Sequence, residues 1–116
     1  MGNAVSWGAQ PSIIADPGAS GAIPTTEGWG VCSIVTAGVE TRTLAIPQRV
    51  GQRLSLAMKT DGGNCTLTAA SAINETGNNT LLFQNVGEYI ALEAIEAGAA
   101  LAWRVIANDS VTLSTV

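Results

Sequence analysis

From Val31 onward the chain never runs more than about a dozen residues before glycine, asparagine or proline interrupts it, and the runs between interruptions alternate apolar with polar residues. That pattern excludes a helical bundle, which needs apolar residues at three- and four-residue intervals over longer windows. It suits short strands with one buried face. Arg53-Leu54-Ser55-Leu56-Ala57-Met58-Lys59 places Leu54, Leu56 and Met58 on one side, and Cys65, Leu67 and Ala69 repeat the arrangement with Thr66 and Thr68 turned to water. Between these two runs lies Thr60-Asp61-Gly62-Gly63-Asn64, whose Asp-Gly and Gly-Asn pairs predict a hairpin with positive φ at the turn and Asp61 capping it.

Further turns are predicted at Thr36-Ala37-Gly38-Val39, at the polar cluster Asn74 to Asn79, at Asn85-Val86-Gly87, at Glu96-Ala97-Gly98 and at Asn108-Asp109-Ser110. Pro47 closes the strand ETRTLAI, because it cannot donate to a ladder. Glu88 to Ile95 holds good helix formers, but the alternation of Ile90, Leu92 and Ala94 against Tyr89, Ala91 and Glu93 favours a strand paired with Leu101 to Ala107. Trp103 then falls in the core and Tyr89 on the opposite face. The expected fold is all-β, an antiparallel β-sandwich or jelly roll over residues 31–116.

Residues 1–30 read differently. Six of the 13 glycines and three of the four prolines fall there, which predicts an irregular arm. The arm nevertheless carries Trp7, Ile13, Ile14, Ile23 and Trp29. Such side chains must be buried, either on the chain's own domain or on another subunit, so these five are the candidate assembly interface.

Little in the composition supports catalysis. The chain has no histidine, which removes the base of a Ser/His/Asp or Cys/His hydrolase and any mixed Cys/His metal site. Cys32 and Cys65 are too far apart in sequence for a redox pair motif; a disulfide between them would need neighbouring strands, and two buried thiols are the expectation. No phosphate-binding or dinucleotide-binding glycine motif occurs, and Gly28-Trp29-Gly30 is expected to allow close backbone approach. Asp61 and Asn64 supply too few oxygens for a calcium loop. The carboxylates Glu40, Asp61, Glu88, Glu93 and Glu96 have few aromatic neighbours from which to build a sugar cleft. No catalytic residue, cofactor or metal is therefore expected. Five basic residues against nine acidic ones disfavour nucleic acid as a partner. No apolar run is long enough for a membrane helix, and the opening MGNAVSWGAQ lacks an export leader's basic and apolar regions, so neither membrane nor secretion is expected. Only 12% of residues are charged, about half the usual share, which suits a protein packed against neighbours.

Thr60-Asp61-Gly62-Gly63, Asn74 to Thr80, Gly87-Glu88 and the strand from Leu101 to Asp109 together resemble the head decoration, or cement, proteins of tailed bacteriophages, over about half of the chain. The resemblance implies a β-sandwich or jelly roll, commonly a homotrimer, on the outer surface of the virion capsid. It further implies the major capsid protein as partner and synthesis in the host cytoplasm. The alternative is a carbohydrate- or receptor-binding β module of a virion fibre or spike, with Tyr89 or Trp29 as stacking platform.

Overall fold

A computed structural model describes residues 11–73 and 77–115 of the chain, and within them the regular structure is entirely β. The strands are β1 (Ser12–Ile14), β2 (Gly21–Ala22), β3 (Trp29–Val35), β4 (Glu40–Leu44), β5 (Arg53–Thr60), β6 (Cys65–Ile73), β7 (Asn78–Phe83), β8 (Tyr89–Ala97), β9 (Ala100–Asp109) and β10 (Thr112–Ser114). They form two five-stranded sheets, ordered β1-β3-β5-β8-β9 and β10-β7-β6-β4-β2. Counted from β1 and β2, the first three positions hold β1 and β2, β3 and β4, and β5 and β6, each layer a consecutive pair split between opposite sheets, and at the other end β9 packs across the sandwich on β6.

The pairing explains why alternation was so legible. In β3 every second residue is buried, and Leu54, Leu56 and Met58 of β5 all face inward. Cys32 and Ile34 of the first sheet meet Leu44, Leu67, Leu81 and Phe83 of the second in one core, closed at one end by Trp103. Burying such side chains stabilises the fold by roughly 1.5–3 kcal/mol each before ordering costs. Trp103 is 1% exposed, and its indole Nε1 donates to the Ala45 carbonyl at 2.9 Å, so its polar atom is satisfied in the core. Cys32 and Cys65 are buried, unpaired thiols.

The two-layer all-β sandwich expected from the sequence forms, but the wholly antiparallel, jelly-roll pairing does not. β1 with β3, β3 with β5, β2 with β4 and β4 with β6 are parallel, while β5 with β8, β8 with β9, β6 with β7 and β7 with β10 are antiparallel. The cause lies at the turns. Thr60 to Asn64 joins β5 to β6 across the sandwich and is a corner between sheets, and Thr36 to Val39 likewise joins β3 to β4. Three arches therefore stack in parallel, each returning across the opposite end of the sandwich, before the hairpins β6–β7 and β8–β9 reverse the direction.

Gly62 and Gly63 also differ from expectation. The glycines with positive φ are Gly18, Gly51, Gly77, Gly87 and Gly98. Gly62 and Gly63 are needed for proximity instead. A Cβ on Gly62 would lie 2.3 Å from the Thr36 carbonyl oxygen, and one on Gly63 would lie 2.3 Å from the Gly38 carbonyl carbon. The β5–β6 corner thus rests directly on the β3–β4 corner. The Gly62 amide donates to both Thr36 oxygens at 3.0 Å, and the Thr36 hydroxyl donates to the Gly63 carbonyl at 2.7 Å. Asp61 is exposed and caps nothing among the described residues.

The boundary between arm and body also moves. β1 and β2 lie inside the stretch expected to be an irregular arm, where they form the first layer of the sandwich: Ser12, Ile13 and Ile14 pair in register with Gly30, Val31 and Cys32, and Gly21 and Ala22 with Arg42 and Thr43. Gly30 makes this possible, since a Cβ there would meet the Ser12 carbonyl at 2.6 Å. At the far end, the connections 23–28 and 45–52 are tied by Gln52, which is 3% exposed. Its amide nitrogen donates to the carbonyls of Thr25 and Glu27, and its amide oxygen accepts from the Gln48 amide.

Candidate functional site

The outer faces of the two sheets have different chemistry, which follows from which residues occupy the outward parity of each strand. On the second sheet the outward positions Ala22, Thr41, Thr43, Thr66 and Thr68 are small and uncharged. On the first, a cross-strand row runs Trp29, Arg53, Glu93, Arg104, with Arg53 Nη2 3.4 Å from Glu93 Oε2. This exposed pair is worth little on its own.

Beside that row, at the β1 edge, lies the candidate site. Ile13 is 97% exposed and sits directly across from Val31, which is itself exposed; Trp29 and Val35 share the face along β3 and are 42% and 45% exposed. Four large apolar side chains thus lie together at a sheet edge that no strand of the described residues pairs. The exposed area is on the order of a few hundred Å², comparable to the largest apolar patch on a typical monomer and commonly functional.

The five candidate interface residues separate. Ile13 and Trp29 lie together in this patch. Ile14 and Ile23 do not: they are 4% and 3% exposed in the chain's own core, because strand alternation in β1 turns Ile14 inward when Ile13 points out. Trp7 lies outside the described residues. Val31 and Val35, which the sequence reading passed over, join the patch, and the alternation of WGVCSIV was the signal that could have found them. Tyr89 is half-buried, and its hydroxyl donates to the Ser55 hydroxyl at 3.0 Å.

A second cluster was also missed. Arg42 is 0% exposed and all five guanidinium hydrogens have acceptors. Nε donates to Asp16 Oδ1 at 2.8 Å, Nη1 to Glu40 Oε1 at 2.9 Å and the Thr41 carbonyl at 3.0 Å, and Nη2 to Asp16 Oδ2 and the Val35 carbonyl at 3.1 Å each. Asp16 also accepts from the amides of Val35 at 2.9 Å and Gly18 at 3.3 Å. Burial pushes the Asp16 carboxyl up, but these hydrogen bonds and the guanidinium charge outweigh it and hold the group below its ordinary value of 3.8. The Ala37 amide and then Arg42 lower Glu40, and the hydrogen bonds to Asp16 raise Arg42 further despite its burial. Arg42 shares the inward parity of Leu44, a cue in ETRTL that a buried cation with partners was present.

The other carboxylates are dispersed. Glu88, 7% exposed, accepts from the Gln84 amide and the Asn85 side chain and caps the β7–β8 corner, while Glu96 is exposed near the end of β8. Among the described residues no three acidic or thiol side chains are grouped to hold a metal ion. Burial pushes the Cys32 thiol up to about 11 and raises Cys65 as well, so both stay protonated near neutral pH. No helix of the described residues is long and apolar enough to cross a membrane. No protein-family model matches the chain, and no curated protein matches it in sequence.

Proposed function

We propose that the protein is a structural virion component, a decoration or cement protein that stabilises a bacteriophage head by bridging capsomers on its outer surface. Its partners would be the major capsid protein and further copies of itself in a homotrimer. The observation that supports this most is the exposed cluster Ile13, Trp29, Val31 and Val35 at the β1 edge of the first sheet. Covering a few hundred Å² of apolar surface contributes several kcal/mol at about 25 cal/mol per Å² before association costs. That is too little for one strong contact, but repetition over a shell multiplies weak contacts into firm attachment. The small, uncharged outer face of the second sheet places no charge in the way of a neighbour.

The test is co-sedimentation of the purified protein with expanded capsids, beside a variant carrying Ile13→Ser and Trp29→Ser. The native chain should pellet with capsids and the variant should remain in the supernatant with an unchanged circular-dichroism spectrum. Equal pelleting of both would overturn the role of this patch, and no pelleting of either would overturn the function. The glycan-binding alternative would rest on Trp29, which is 42% exposed, because the Tyr89 ring is half-buried and its hydroxyl is already engaged.

A further inference from the structure

The first layer of the sandwich is built unlike those beneath it. It consists of β1 and β2, three and two residues long, joined by a corner that bends around Asp16 and Gly18. On one side it meets β3 and β4; among the described residues no strand pairs with its other side. Ile14 and Ile23 reach into the core, and the amides of Ser20 and Ile23 donate to the carbonyls of Thr41 and Thr43 at 2.8 Å. The β1–β3 and β2–β4 ladders and a bond from the Ser12 hydroxyl to Glu27 Oε1 at 2.9 Å add to this, and the tie at the corner itself is ionic. The single Asp16 carboxylate takes three donors from the second layer, Arg42 Nε, Arg42 Nη2 and the Val35 amide. Glu40, by contrast, binds Arg42 and the Ala37 amide, all within the second layer.

We infer that residues 12–23 are a latch that opens separately from the rest of the sandwich, and that the Asp16–Arg42 pair sets how often it opens. The division of labour between the two carboxylates is what makes this specific. When the layer lifts, Arg42 keeps Glu40 and the Thr41 and Val35 carbonyls and gains water, so the second layer can stand as the new end of the stack. Opening exposes the in-register edges of β3 and β4 and the apolar positions left by Ile14 and Ile23. The charged and titratable groups around the joint are Asp16 from the first corner, Glu40 and Arg42 from β4, Cys32 from β3 and Cys65 from β6, with Glu27 at the other end of β1, where it accepts from the Ser12 hydroxyl; the two thiols stay neutral. Because Asp16 is held below its ordinary value, its contribution is complete above about pH 4 and is lost as pH falls through the lowered value.

Native-state hydrogen exchange on the full chain tests the latch. The reporters are the amides of Ser20, Ile23 and Val35, with those of Met58 and Ala94, bonded to the carbonyls of Glu88 and Gln52, as internal standards. Asp16→Asn should speed the three reporters by roughly 10–100-fold at neutral pH and leave the standards unchanged, as expected for local opening. Glu40→Gln should move the reporters less than about threefold, because its bonds stay within the second layer. Acidification of the native chain should speed the reporters beyond the intrinsic pH effect, and Asp16→Asn should abolish that response. Equal acceleration of reporters and standards in Asp16→Asn would show that no separate latch exists. An equal effect of Glu40→Gln, or an acid response that survives Asp16→Asn, would show that Asp16 does not control it.

Discussion

Replacing Gly63 with alanine should destabilise the protein far more than the same change at Gly38, although the two glycines belong to corners stacked on each other. A Cβ at position 63 would lie 2.3 Å from the Gly38 carbonyl carbon, 2.5 Å from the Val39 nitrogen and 2.6 Å from the Gly38 oxygen. All three are backbone atoms, so no side chain can swing aside. Relief requires the corners to part by about 1 Å, the shortfall from ordinary contact. That movement stretches the Thr36 hydroxyl bond to the Gly63 carbonyl and the bond from the Glu40 amide to the Asn64 carbonyl, now 2.7 and 3.0 Å. Overpacking costs about 1–3 kcal/mol and each weakened hydrogen bond up to about 1 kcal/mol, giving about 2–4 kcal/mol. For a chain of this length that is a drop of roughly 10 °C in Tm. A Cβ on Gly38 meets nothing within 4 Å, and its φ is not positive, so Gly38→Ala should change stability by less than about 0.5 kcal/mol. Urea and thermal unfolding followed by circular dichroism read both. Equal losses in the two variants, or a loss below about 1 kcal/mol for Gly63→Ala, would refute the stacked-corner account.

Trp103→Phe should cost about 2 kcal/mol in urea unfolding, since it leaves a small void in the core and removes the donor to the Ala45 carbonyl; an unchanged midpoint would show that neither matters. Cys32 and Cys65 should resist a thiol reagent at pH 8 in the folded protein and react at once in denaturant, because burial keeps both protonated and inaccessible. Rapid labelling of the native chain would contradict their placement in the core.

Much of the strand pattern could be read because a strand's inside and outside are decided every second residue, a property local to a few positions. The inward sets Leu54, Leu56, Met58 and Cys65, Leu67, Ala69 needed nothing but their own alternation. The same rule, applied to WGVCSIV and ETRTL, held the information for Val31 and Val35 outside and Arg42 inside. The patch was half legible: Ile13 and Trp29 stood out by size, but which isoleucine of Ser12-Ile13-Ile14 turns outward depends on how β1 registers on β3.

Side-chain period and turn chemistry act over short distances, so a two-layer β protein with a core of alternating aliphatic residues follows from the order of residues alone. That order could not determine whether TDGGN folds back within one sheet or crosses to the other, because both solutions use the same glycines and bury the same faces. Only the stacking of one corner on another decides it, through backbone contacts between Gly62 or Gly63 and Thr36 to Val39 that join residues about two dozen positions apart. The same long-range packing drew Ile14 and Ile23 into the core and gave Arg42 a carboxylate from a stretch that looked like a loose arm.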